Sequence, residues 1–115
     1  MTQKIIILLC FILFDIVTGW IKAISRGEYN SAVMRLGMWH KLAEILACGF
    51  CIFCDYALPQ INFILPVSLF NCILVYIAVM EITSIVENLG QTFPELGKYL
   101  SVVFEKVEKE NNPNE

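Results

Sequence analysis

Charge is what this sequence lacks over long stretches. No Asp, Glu, Lys or Arg occurs between Tyr56 and Met80, and only 17% of the 115 residues are charged against 57% that are hydrophobic. A soluble domain of this length has no interior large enough to hide such a run. A helix of about 20 residues crosses the roughly 30 Å hydrocarbon core of a bilayer, so the run reads as a spanning helix. Other absences narrow the function. His40 is the only histidine, and no serine or cysteine has a base and an orienting carboxylate beside it outside the apolar stretches, so a catalytic triad has nowhere to form. There is no glycine-rich phosphate loop, no carboxylate pair in a soluble cleft and no metal-ligand spacing. No enzymatic activity, cofactor or metal is therefore expected. The net charge of -3 says little taken whole, because five of the eleven acidic residues lie in the last 21 positions, but no stretch is basic enough for nucleic acid, and no nucleic-acid partner is expected.

The five cysteines, Cys10, Cys48, Cys51, Cys54 and Cys72, all fall inside apolar stretches, whereas a disulfide framework places cysteines in the polar loops of a secreted domain. Cys48, Cys51 and Cys54 have the spacing that opens an iron–sulfur ligand run. The expected fourth ligand is missing, because positions 58 and 59 are Leu-Pro. Packing explains the three thiols better.

What remains is an all-α integral membrane protein with three transmembrane helices and a C-terminal amphipathic helix. The transmembrane region covers 1–91, with spans at about 5–23, 42–58 and 61–85. The first opens with ten apolar residues and is interrupted by Asp15. Ala23-Ile24-Ser25 loosely imitates a signal-peptidase site, but Asp15 and Lys22 favour a retained helix. The second has Glu44 near one end and Asp55 near the other, with ten uncharged residues between them. The third has Pro66 in its first turn, where proline is tolerated, and Glu81 near its far end. Pro59-Gln60-Ile61-Asn62 leaves room only for a tight hairpin between spans two and three.

The loop 24–41, with Lys22 at its edge, carries Lys22, Arg26, Arg35 and Lys41 against one acid, Glu28. Basic loops stay in the cytoplasm, so the N-terminus is expected outside and the C-terminus inside a bacterial cytoplasmic membrane. Asn30 or Ser31 suits a helix N-cap. Val33, Leu36, Trp39 and Leu42 then recur at helical spacing, as for a surface helix that runs into span two. Trp20, Tyr29 and Trp39 suit an interfacial aromatic belt. Thr92-Phe93-Pro94-Glu95 starts a further helix, expected over 92–109 and cytoplasmic, with Leu96, Leu100, Val103, Phe104 and Val107 on one stripe. The tail 110–115 is expected to be disordered.

Two polar faces are out of place in lipid. Asp15, Thr18, Gly19 and Lys22 share one face of the first helix; Glu81, Ser84 and Asn88 share a face of the third, with Glu87 beside it. An ionised group in mid-span faces a bundle interior or a water-filled cavity. These residues are therefore candidates for lining a pore or for contacts between subunits. The alternative is a static bundle in which Asp15 is protonated, or paired with Lys22 or another chain. His40, one turn from Glu44, is placed to satisfy it, and Asp55 reads as solvated near the outer surface.

Two motifs resemble those of the phage holins, including the holin-like proteins encoded beside large clostridial toxins. Phe14-Asp15-Ile16-Val17-Thr18-Gly19-Trp20-Ile21-Lys22-Ala23 is similar to the family's Asp-x-x-Thr-Gly-x-x-Lys-Ala pattern. Glu81-Ile82-Thr83-Ser84-Ile85-Val86-Glu87-Asn88-Leu89-Gly90 is similar to its Glu-x-x-Ser-Ile-x-Glu-Asn pattern. The resemblance implies a protein that gathers in the cytoplasmic membrane, forms homo-oligomers and permeabilises the bilayer to release an endolysin or a toxin. Its partners would be the lipid bilayer, other copies of itself and, functionally, the released protein. A small proton-coupled exporter titrating at Asp15 is a rival, disfavoured by the charged segment after Pro94. A non-opening anti-holin regulator would share every motif.

Overall fold

The computed structural model describes residues 1–111, and every regular element among them is helical: α1 (Thr2–Ser25), α2 (Ser31–Gln60), α3 (Leu69–Thr92) and α4 (Pro94–Asn111). The first three are long and apolar enough to cross a membrane. α1 and α3 run in the same direction with α2 antiparallel to both, and α3 packs against α1, α2 and α4.

The chain reverses twice by the same device. At the end of α1, Gly27 adopts a left-handed φ of 66°. The Glu28 N–H then reaches the Ala23 carbonyl at 2.8 Å and the Gly27 N–H reaches Ile24 at 3.2 Å. This is the Schellman pattern that satisfies the last carbonyls of a helix. At the end of α2, Asn62 takes the same role with φ 64°, Phe63 bonding Leu58 at 3.0 Å and Asn62 bonding Pro59 at 3.1 Å. Asn30 is the N-cap of α2, its side-chain oxygen accepting from Ala32 at 2.9 Å and Val33 at 3.4 Å. Surface segment and second span are thus one continuous helix. Arg35 and Lys41 stand on it and not in a loop, which is confined to the few residues after Ser25.

The third span begins at Leu69, later than the 61 expected from hydropathy, and Pro66 lies in the loop before it. Proline disfavours helical geometry in the residue before it, and the helix is started instead by Ser68, whose oxygen accepts from the Asn71 N–H at 3.2 Å. Asp55 of α2 completes the cap. It accepts from the backbone N–H of Leu69 at 2.8 Å and of Phe70 at 3.0 Å, and from the Ser68 hydroxyl at 2.7 Å. Asp55 is therefore a cap for the neighbouring helix, where the sequence suggested a solvated side chain.

α3 stops at Thr92 because Phe93, in extended geometry before Pro94, cannot continue it. Pro94 opens α4 at the first helical position, where its missing N–H costs nothing. α4 extends through Asn111, so Glu110 and Asn111 are helical. The rest of the tail expected to be disordered lies outside the described residues.

The apolar core is small and sits toward the Ser68 end of the bundle, formed by Leu8, Ile12, Cys48, Phe70 and Ile77 with Ile5, Ile16, Ile52, Ile73 and Leu74 packed around it. Large apolar side chains such as Leu13, Phe14, Phe50, Phe53, Val75 and Val79 point outward. A bundle with so little inside and so much apolar surface matches lipid, not water, as its solvent.

Candidate functional site

The helical spacing that puts Asp15, Thr18 and Gly19 on one face of α1 turns that face toward α3, where Glu81 and Asn88 meet it. Glu81 is 1% exposed, and Asp15 and Asn88 are 8% exposed. Lys41 reaches in from α2. Its ammonium donates to both Glu81 carboxylate oxygens, at 2.7 and 2.8 Å, and also binds the Asp15 carboxylate. The Asn88 amide donates to Asp15 Oδ1 at 3.1 Å and to Thr18 Oγ1 at 3.1 Å. Thr18 in turn donates to the Phe14 carbonyl at 2.7 Å. Gly19 completes the fit, since a Cβ there would stand 3.6 Å from the Asn88 amide nitrogen. Three helices are joined at one level by charge-assisted bonds, which are roughly twice as strong as neutral ones.

Glu44 adjoins this network, one turn along α2 from Lys41. Its carboxyl lies against Glu81, yet its Oε2 is buried with no hydrogen-bond partner. His40, expected to satisfy it, points outward. The cluster therefore sets three carboxyl groups around one amine.

Of the residues singled out by sequence, Asp15, Thr18, Gly19, Glu81 and Asn88 come together. Lys22 is not bonded into the network but borders a cleft of about 390 Å³ between α1 and α2 that reaches it, lined by Asp15, Gly19, Lys41 and Asn88 together with Trp20 and Met34. Ser84 is half-buried, and Glu87 is exposed beside α4. Arg26 pairs with Gln91 at the α1–α2 turn, and Arg35 is exposed on α2. Lys41, grouped by sequence with the surface basic residues, is a partner of the buried acids. Its signal was the stripe Lys41, Glu44, Cys48, Ile52 and Asp55, which carries the inward face of α2 at helical spacing.

Two polar clasps frame the bundle. Lys4 donates to Asn71 at 2.9 Å at one end, and Arg26 donates to Gln91 at 2.6 Å at the other. The interval from Asn71 to Gln91 is about 30 Å of helix and that from Lys4 to Arg26 about 33 Å, close to the thickness of a hydrocarbon core. Glu81 and Asp15 each lie half way along their interval. The network thus occupies the middle of the span, where an unpaired charge is most costly.

A family model described as the bacteriophage holin family matches residues 1–109. This chain belongs to the bacteriophage holin family. The match takes in all three apolar helices, every member of the buried network and nearly all of α4. No curated protein and no solved structure matches the chain. Within a holin-family chain, the arrangement around Lys41 is an intrachain clamp: it holds three membrane helices together and satisfies, without a second copy, four of the groups that lipid would reject.

Proposed function

We propose that this protein acts as a holin: it accumulates in the bacterial cytoplasmic membrane, self-associates, and opens lesions through which an endolysin or a toxin passes. The family match over residues 1–109 carries this reading. The buried network supports its first stage. With Asp15, Lys41, Glu81 and Asn88 bonded to one another, single copies are stable in lipid before any assembly. Three helices cannot themselves enclose a passage for a folded protein, so opening requires many copies. Orientation with the N-terminus outside is supported by Lys22, Arg26 and Arg35 near the α1–α2 turn, at the same end as the α3–α4 turn. On this reading Asp15, Thr18, Gly19, Glu81 and Asn88 shape the subunit, and they do not line the opening.

The test is expression in bacteria together with a cytoplasmic endolysin. Abrupt lysis, absent when either protein is omitted, is the expected result. Continued growth with the chain abundant in the membrane would overturn the reading, and slower lysis when it joins an active holin would identify a regulator.

A further inference from the structure

α4 does not leave the bundle. From Pro94 it turns back along α3, with Gly97 against Gly90 and with Phe104, Glu105 and Glu108 beside Ile82, Thr83 and Val86. The crossing demands glycine on the α4 side. A Cβ on Gly97 would stand 2.1 Å from the Gly90 Cα and 2.9 Å from its nitrogen, whereas a Cβ on Gly90 would meet nothing closer than 3.5 Å.

This docking sets the depth of α4. Thr83 is two residues from Glu81, which lies midway between the Lys4–Asn71 and Arg26–Gln91 clasps. The far half of α4 consequently reaches the middle of the span. By helical spacing, Leu96, Leu100, Val103 and Val107 follow one flank of α4, while Lys98, Glu105, Lys106 and Lys109 follow the other. The charged flank is exposed, and ionised groups at mid-depth must face water or protein, not acyl chains.

The rest of the bundle shows the same asymmetry. Uninterrupted uncharged helix covers only residues 5–14 of α1 and 69–80 of α3, about 15 and 18 Å, roughly half of a hydrocarbon core. Toward the other end, Arg35, His40 and Glu87 are exposed.

We propose that α4, docked on α3 through the Gly90–Gly97 crossing, is the water-facing wall of the opened assembly. Several copies turn its charged flank toward a shared aqueous passage and its apolar flank toward the acyl chains. The inference rests on the holin reading above.

Gly97→Ala and Gly90→Ala separate docking from helix formation, because both replace glycine in a helix by a better helix former and only the first creates a backbone clash. The full chain and each variant are reconstituted into lipid vesicles at matched protein content, and release of an entrapped protein is followed. Gly97→Ala is expected to release at least about tenfold more slowly, within reach of a clash that cannot relax, with Gly90→Ala matching the wild type. The same loss in lysis of cells, at equal membrane content, is expected to follow. Release by Gly97→Ala as fast as the wild type, or faster, overturns the proposal while leaving the holin reading intact. Silence from the wild type itself overturns both.

Discussion

Lys41 holds both carboxylate oxygens of Glu81, at 2.7 and 2.8 Å, from well inside α2. The same ammonium binds Asp15, so one side chain neutralises acids from two other helices. Removing one partner of a buried pair leaves an uncompensated charge and typically costs about 3–5 kcal/mol. Lys41→Met is therefore expected to destabilise the bundle by that order, measured as loss of helix on titrating the detergent-solubilised protein with a denaturing detergent. A change near zero would mean that water, not Lys41, satisfies Glu81 and Asp15.

Glu44 is expected to behave in the opposite way. It brings a third carboxyl to the cluster, and its Oε2 is buried without a partner. An unsatisfied buried polar group costs about 1–3 kcal/mol, so Glu44→Met is expected to be neutral or stabilising in the same titration. Destabilisation comparable to that of Lys41→Met would show that Glu44 contributes a bond to the network.

Asp55 ties α2 to the start of α3 by accepting from Leu69, Phe70 and Ser68. Losing a cap costs typically about 1 kcal/mol, and a charge-assisted one, at about 1.5–3 kcal/mol per bond, more. Asp55→Ala is expected to destabilise the bundle and to raise amide hydrogen exchange at Leu69 and Phe70 selectively. Exchange unchanged at those two amides would rule out the cap.

These three residues also mark how far the sequence could be read. Three membrane helices, their order and the polar faces at Asp15 and Glu81 follow from charge-free length and helical spacing, because lipid leaves few alternatives. Counting basic residues per loop groups Lys41 with the surface cations because it treats every lysine alike, whereas its partners are 26 and 40 residues away. Hydropathy places the start of α3 too early for a related reason. Ile61, Phe63 and Ile64 are as apolar as a helix interior, and the cap that excludes them comes from Asp55, across a turn. The return of α4 along α3 depends on Gly97 meeting Gly90, a contact that no local pattern announces.

If the network around Lys41 only holds one chain together, its charges are replaceable as a set. Asp15, Lys41 and Glu81 can be exchanged together for Asn, Met and Gln, which keep approximate size and remove every charge. Replacing a whole buried ionic cluster is often neutral or stabilising by about 1–4 kcal/mol, unlike the loss of one partner. The triple variant Asp15→Asn, Lys41→Met, Glu81→Gln is thus expected to insert, to resist denaturing detergent at least as well as the wild type, and to lyse endolysin-expressing cells on a similar schedule. Asp15→Ala alone is expected to lower membrane content, since it frees Lys41 from one acid and strips Asn88 of an acceptor. A triple variant that is stable and inserted but never lyses would place these residues in the path of water, and the lining of the opening would then have to include the interior faces of α1 and α3.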